Sequence, residues 1–515
     1  MNKKIILNII IFSFLVMLAG IILYFHIPDM TINLKDINLA TSIVSAFFSL
    51  TIIFIAITIF LEKHDSNKTV AWLLILAVFP VVGFILYLFS GRNITRRHFF
   101  NKRNSYDLEV PDEILEYQLK HLQEGSLFNQ IELDKYKNLL TLLLNNGRSP
   151  FTTNNATKVL NNGDEAFPEI FRCIEQATHH IHVESFVIKD DELGRQFRDA
   201  LIKKAKQGVK VRVLYDGAGS WKLGRKYIKP LEDAGAEAVC FAPIFIPYPG
   251  YRVDYRNHRK IIIIDGNVGF VGGLNISDDY VHKGRLGFWR DTHLKIEGEA
   301  VMFLQRVFVK DWLFATGENI QNLCYFNTYK YYGYELIQIA DSGPDSHWES
   351  ISQVYFVAMA AATEKIYFYT PYLVPNESIL TALKTAALGG VDVKLIVPGT
   401  PDKFIVYWAT KSYFEELLEA GVKIYQYQKG FVHSKVLIVD GVVASVGSAN
   451  MDIRSFQLDF ELNAIIYKSL RIEELENDFI EDIKDSKEVS LSDYKNRNLS
   501  DKFKESVGRL LSPLL

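Results

Sequence analysis

Three apolar runs open the chain, Ile5 to Phe25, Leu39 to Leu61 and Val70 to Phe89, and each is almost uncharged. Each is close to the ~20 residues a helix needs to cross ~30 Å of hydrocarbon, so the pattern predicts a transmembrane module over residues 1–91, with spans at about 5–25, 39–61 and 70–89. Pro80 and Gly83 suit a membrane helix better than a soluble one. Lys3 and Lys4 precede the first run, but no small-x-small cleavage site follows it, which argues against a removed signal peptide. Arg92, Arg96, Arg97, Lys102 and Arg103 follow the third run and place that end in the cytoplasm, with the body behind it on the inner face of the cell membrane. Three spans would then put Lys3 and Lys4 outside. Whether the first run spans, re-enters or is removed therefore stays open, and the second and third runs form the better-defined pair.

Residues 92–150 read as a basic juxtamembrane stretch and a helical connector, helical and charged from about Glu113 to Leu144. From Phe151 onward, strands alternate with helices, and the same order recurs about 180 residues later. Ala177-Thr178 leads into the strand Ile181 to Phe186, a helix to Lys206 and the strand Val209 to Leu214; Ala362-Thr363 leads into Ile366 to Tyr369, a helix to Leu388 and Val391 to Val397. Each half continues through a helix ending in Ala-Gly, at Ala234-Gly235 and Ala420-Gly421. The pattern predicts an α/β fold of two pseudo-symmetric lobes, residues 151–325 and 326–515, each a mixed or parallel sheet with flanking helices.

Composition narrows the function classes. A formal net charge of −3 supplies no electrostatic footprint for nucleic acid. Cys173, Cys240 and Cys324 are an odd set without CxxC spacing, so neither a disulfide framework nor a zinc site is expected.

At matching places in the two halves stand His258-Arg259-Lys260, Asp265-Gly266 and Gly272-Gly273-Leu274-Asn275, and His433-Ser434-Lys435, Asp440-Gly441 and Gly447-Ser448-Ala449-Asn450. Both copies read HxKx4Dx6G[GS]xN. One match is weak, whereas two in register are strong. Residues i and i+2 of a strand share a face, so each His projects with its Lys. A buried imidazole and ammonium on one side of a strand are costly unless they line a site. If the lobes face one another, two histidines and two lysines converge on one anion-sized pocket. Asn275, Asn450 and Ser448 can donate to phosphate oxygens there. One neutral His can attack phosphorus while the other, protonated, protonates the leaving alkoxide. The lysines and asparagines supply the charge stabilisation that would otherwise call for a metal, and no metal or other cofactor is expected. Asp291 and Glu461 are candidate orienting acids for the histidines.

These residues resemble the double HKD signature of the phospholipase D superfamily. The surrounding text, including Asn257-His258-Arg259-Lys260, Trp289-Arg290-Asp291 and Val446 to Phe456, is similar to that of bacterial cardiolipin synthases, and the likeness runs over nearly the whole chain. It implies phosphatidyl transfer from one phosphatidylglycerol to another, giving cardiolipin and glycerol through a phosphohistidine. By position it assigns His258, Lys260, Asp265, His433, Lys435 and Asp440 to the catalytic set, with the two aspartates expected to be structural more than chemical. Which His attacks first stays open, superfamily analogy favouring His258. Other activities on the same scaffold are a hydrolytic phospholipase D, a phosphatidylserine synthase or a membrane-tethered nuclease. The reading of a different class is a non-catalytic membrane lipid-binding protein, for which two intact proton-transfer residues would be superfluous.

Three further segments carry expectations. The Pro-rich apolar stretch Phe241 to Tyr251, just before His258, either touches acyl chains or packs internally. Phe503, Val507, Leu510 and Leu511 form a helical stripe expected to dock on the body. His179, His180 and His182 read as ordinary strand-end residues.

Overall fold

The computed structural model describes residues 66–78, 110–125, 131–243, 254–326 and 330–514, with Ile53, Ile57, Gly83 and Tyr87 as isolated positions. The chain divides into two compact units, Met1–Asn93 and Ile94–Leu515. In the first, helix α1 (Ser66–Val78) covers the start of the third apolar run. The Trp72 and Tyr87 rings meet edge to face at 5.4 Å, and a Cβ on Gly83 would stand 3.0 Å from the Ile75 carbonyl oxygen. Among the described residues, no helix is long and apolar enough to cross a membrane. The first two runs, apart from Ile53 and Ile57, and the Arg92 to Arg103 cluster lie outside the described residues.

The second unit begins with α2 (Asp112–Gln123) and α3 (Lys137–Asn146). Leu139, Leu140, Leu143 and Leu144 form the buried stripe of α3, and they share a core with Tyr355 and Met359 of the second lobe. This helical connector is thus an outer layer of that lobe.

The first repeat supplies β1 (Asn155–Asn161), β2 (His180–Ser185), β3 (Lys210–Asp216), β4 (Glu237–Phe241), β5 (Arg256–Asn257), β6 (Lys260–Ile264), β7 (Val268–Gly272), β8 (Phe288–Arg290) and β9 (Thr292–Gly298). Its helices are α4 (Asn162–Gln176), α5 (Glu192–Lys206), α6 (Arg225–Asp233) and α7 (Ala300–Thr316). The second supplies β10 (Leu336–Ser342), β11 (Lys365–Tyr369), β12 (Leu373–Val374), β13 (Asp392–Pro398), β14 (Lys423–Tyr427), β15 (Gly430–Val432), β16 (Val436–Val439), β17 (Val443–Gly447), β18 (Met451–Asp452), β19 (Asp459–Tyr467) and β20 (Ser486–Glu488). Its helices of eight or more residues are α8 (Ser350–Ala360), α9 (Glu377–Leu388), α10 (Phe404–Lys411), α11 (Leu470–Lys484) and α12 (Leu499–Leu511).

The first sheet runs β1-β9-β7-β6-β2-β3-β4, and the second repeats that path as β10-β19-β17-β16-β11-β13-β14 with β20 added at the edge. In both, the strands equivalent to β2, β3 and β4 are parallel and the motif strands β6 and β16 run antiparallel to their neighbours. Both sheets are therefore mixed. The Ile261 to Ile264 and Val436 to Val439 runs are buried throughout, as strands covered on both faces must be. A central core joins Ile261 and Leu294 of the first sheet to Val436 and Leu462 of the second, with Phe308 of α7 and Phe479 of α11 between them. Matching caps start the matching helices: Asp191 accepts from Gly194 N at 2.9 Å at α5, and Asn376 from Ile379 N at 3.0 Å at α9.

The C-terminal helix departs from expectation. The buried positions of α12 are Glu505 and Gly508, while Phe503, Val507 and Leu510 are exposed. A Cβ on Gly508 would stand 2.6 Å from Ala409 N, so that glycine permits close helix contact with α10. Glu505 accepts from Tyr494 Oη at 2.6 Å and from Arg497 Nε at 2.8 Å. The helix docks by its small and polar face, because these pairings satisfy the buried acid, and turns its apolar stripe outward. His180 and His182 are buried, both within reach of Gln305 Oε1.

Candidate active site

The two lobes exchange strands where the motifs begin. β5 pairs in parallel with β19, placing Asn257 opposite Phe460, and β15 pairs in parallel with β8, placing Val432 opposite Arg290. His258 N donates to Phe460 O at 2.9 Å and His433 N donates to Arg290 O at 2.7 Å. The residue after each of those carbonyls is an acid. Consequently, His258 Nδ1 lies 2.9 Å from Glu461 Oε1, and His433 Nδ1 lies 2.8 Å from Asp291 Oδ2. Each histidine is held by the acid of the opposite lobe, and all four residues are buried. Aromatic rings flank them, Phe186 at 4.9 Å from His258 and Tyr280 at 5.5 Å from His433.

Strands β6 and β16 start at Lys260 and Val436, so each His precedes its strand instead of lying within it. Each Lys nevertheless folds back on its own histidine. Lys260 Nζ donates to His258 O at 2.6 Å, and Lys435 Nζ to His433 O at 2.5 Å while standing 2.9 Å from His433 Nδ1. An acid on Nδ1 holds the proton there and leaves the Nε2 lone pair for chemistry.

Burial sets the charge state. It brings His258 down to about 4, with Glu461 opposing and Lys260 and Lys435 assisting, and it holds His433 well below its ordinary value with help from Lys435, Lys260 and His258. Both shifts favour the neutral imidazole. Burial likewise lowers Lys260 to about 8 against the pull of Glu461 and Lys435 to about 7 against that of Asp291. It lifts Asp291 to about 7, with Lys435 opposing. Glu461 goes the other way: burial works to raise it, but His258, Lys260 and Ser448 together hold it below the usual carboxylate range. An arriving phosphodiester anion would oppose the lowering at both lysines and both histidines.

The remaining candidates divide. Asn450 Oδ1 is buried and has no hydrogen-bond partner; as an acceptor it suits a substrate hydroxyl, and only the amide nitrogen can donate to phosphate. Asn275 is already engaged, donating to Tyr280 Oη and accepting from Val187 N at 3.1 Å. Ser448 Oγ donates to Glu461 Oε2 at 2.5 Å, so it serves the acid instead of offering a free donor to phosphate. Asp265 and Asp440 lie beyond the far ends of β6 and β16, seven positions from their histidines. Asp265 accepts from the backbone N–H of Thr178, His179 and His180, and Asp440 from those of Thr363, Glu364 and Lys365. These bonds tie each aspartate to the segment that leads into β2 or β11. Each also has a φ of 52° and is followed by a glycine at 67°, the paired positive values of a type I′ turn.

Two arginines complete the site without having been singled out in the sequence. Arg259, between His258 and Lys260, donates from Nε to Glu461 O at 3.1 Å and pairs with Asp311 of α7. Arg290 donates to Asp291 O and, at 2.6 Å, to Asp482 of α11. Each orienting acid is held at its backbone by an arginine anchored on the matching helix. A buried arginine beside a catalytic motif was the available clue.

Residues 170–300 and 355–483 match the family model described as cardiolipin synthase, PLD-like domain, the class to which this duplicated fold and paired site correspond. Residues 49–92 match one described as phospholipase D-nuclease N-terminal. A cardiolipin synthase of a Geobacillus species is 46% identical over 92% of this chain and 93% of its own. Cardiolipin synthase 2 of Bacillus anthracis is 45% identical over 91% of each. Cardiolipin synthase 1 of Bacillus cereus is 40% identical over 100% of each. Among solved structures, the phosphatidylserine synthase of Haemophilus influenzae Rd KW20 aligns with a TM-score of 0.55 at 18% identity, covering 73% of this chain and 96% of that one, a likeness of fold. The chain belongs to the cardiolipin synthase family of phospholipase D-like proteins.

Proposed function

We infer that this protein is a phosphatidyltransferase that makes cardiolipin, joining two phosphatidylglycerol molecules with release of glycerol. The observation that supports it most is the crossed pairing of His258 with Glu461 and His433 with Asp291, in a chain whose relatives at 40–46% identity are named cardiolipin synthases. In this reading, neutral His258 attacks phosphorus through Nε2. The phosphorus–oxygen bond to glycerol breaks, protonated His433 supplies the proton to the departing alkoxide, and a phosphatidyl-histidine remains. His433, now neutral, accepts the proton of a hydroxyl on the second phosphatidylglycerol, whose oxygen attacks phosphorus and releases His258. Lys260, Lys435 and Asn450 stabilise the non-bridging oxygens. Glu461 and Asp291 orient the two rings.

The same reading makes residues 1–91 a membrane module, 92–150 the connector, and 151–325 and 326–515 the two lobes. It keeps the body on the cytoplasmic side, in line with the basic residues Arg92 to Arg103. Phosphatidylglycerol resists leaving the bilayer, since each exposed methylene costs ~0.8 kcal/mol. The site must therefore work at the headgroup plane. Incubating the purified full-length protein with phosphatidylglycerol alone, then measuring lipids by mass spectrometry and free glycerol, tests the reaction. Cardiolipin and glycerol in equal amounts are expected; phosphatidic acid alone would replace transfer by hydrolysis, and no lipid product would leave a binding protein.

A further inference from the structure

The α12 stripe left outward by the fold has no counterpart in an ordinary docked helix, where the apolar face turns inward. Leu499, Phe503, Val507 and Leu510 are 83%, 70%, 41% and 47% exposed. Lys504 lies over the Trp408 ring at 4.6 Å and Gly508 abuts Ala409, so α12 packs on α10, whose first residue, Phe404, is itself 66% exposed.

The start of α10 adjoins the site. Asp402 accepts from Tyr372 Oη and Lys403 lies over the Tyr372 ring at 5.1 Å, while Leu373, the next residue, pairs with Met451 beside Asn450. The first lobe has a matching rim. Gly217 N donates to Phe241 O at 2.9 Å and Gly399 N donates to Tyr427 O at 3.0 Å, which fixes the equivalence of the loops after β3 and β13. Trp221-Lys222 then corresponds to Lys403-Phe404, an apolar and a basic residue in both lobes. Trp221 is 65% exposed, and its neighbour Ser220 donates to Phe186 O at 3.1 Å, with the Phe186 ring against His258. Each histidine thus has, at the end of its lobe's parallel strands, an outward apolar residue beside a lysine.

Charge favours an anionic occupant. Lys222, Lys226, Lys403 and Lys502 are exposed on these segments. The acids among them are tied: Asp402 to Tyr372, Asp501 to Lys504 at 3.1 Å, and Glu505 to Arg497.

We propose that the outer face of α12, with Phe404 of α10 and Trp221 of the first lobe, is a docking surface for an anionic phospholipid monolayer that seats the rim of the site on the headgroups. It rests on the lipid substrate inferred above. Apolar side chains enter the acyl boundary while the lysines meet headgroup phosphates, the division found in helices that lie in an interface.

The full-length protein in phosphatidylglycerol/phosphatidylcholine proteoliposomes tests it, with an environment-sensitive fluorophore on Phe503→Cys or, separately, Trp221→Cys in an otherwise Cys-free background. Quenching by nitroxide carried on the lipid chains, with protection from aqueous iodide, is expected at both positions. Quenching by iodide would overturn the surface, and so would protection from both quenchers, because protein would then cover it. Phe503→Glu combined with Leu510→Glu should lower synthesis from vesicles at least about tenfold while sparing turnover of dispersed short-chain phosphatidylglycerol; equal loss on both substrates would also overturn it. Cardiolipin is measured on the same samples: synthesis with the probes in water refutes the surface alone, and lipid-buried probes without synthesis refute the activity alone.

Discussion

Gly273 and Ser448 occupy the same place in the two motif copies but serve acids of different length. A Cβ on Gly273 would fall inside the Asp291 carboxylate, whereas Ser448 donates to the longer Glu461 at 2.5 Å. The asymmetry, visible in the sequence as Gly against Ser, is therefore a matter of room for the orienting acid. Ser448→Gly removes one charge-assisted hydrogen bond of about 2 kcal/mol, which caps the loss at about 30-fold in rate. Gly273→Ser drives Asp291 off His433 Nδ1 and should cost more, at least about 10²-fold, since a misoriented histidine loses the tautomer the chemistry uses. Turnover of both variants on phosphatidylglycerol in mixed micelles, with circular dichroism to establish folding, checks the order. A larger loss for Ser448→Gly would contradict it. The histidines and lysines were legible because their spacing is local. Their pairing was not, since the bonded partners stand 203 and 142 residues apart and either acid could have served either ring.

At the scale of elements, the repeat announced the lobes because each buried strand writes an apolar run and each motif strand ends in an Asp-Gly turn. The sheet order follows from strands that recur in the same sequence, and β5 and β15, only two and three residues long, are too short to show in any periodicity. Amphipathic spacing misled at α12, where Gly508 and the paired Glu505 make the inward face. Asp440 illustrates how a motif residue can work through its turn. It accepts from three backbone N–H groups, from Tyr136 Oη at 2.9 Å and from Lys135 at 2.5 Å, and these partners hold it far below the usual carboxylate range although burial opposes them. Its folded pKa is depressed, so its stabilisation is full above the unfolded value of ~3.9 and declines as pH falls from there through the folded value. Asp440→Asn should lower the melting temperature at pH 7 and leave turnover of the folded fraction near that of the parent; the difference in melting temperature should shrink toward pH 3. Unchanged melting with lost turnover would return Asp440 to the chemistry.

For the whole molecule, the lobes share one site because each contributes a histidine and the acid for its neighbour's. Neither lobe carries a complete histidine–acid pair alone, which gives a physical reason for both copies to keep their full motif. Steric and electrostatic dependence across the lobe boundary also predicts that the two histidines act as a unit, for which the effects of single and double changes are far from additive. The most direct test is the turnover of His258→Ala, His433→Ala and the double variant on phosphatidylglycerol, each shown to be folded. One shared site predicts that each single change lowers cardiolipin synthesis by about 10² to 10⁴ or more and that the double variant is little worse than the singles. Near-normal synthesis by either folded single variant would contradict it.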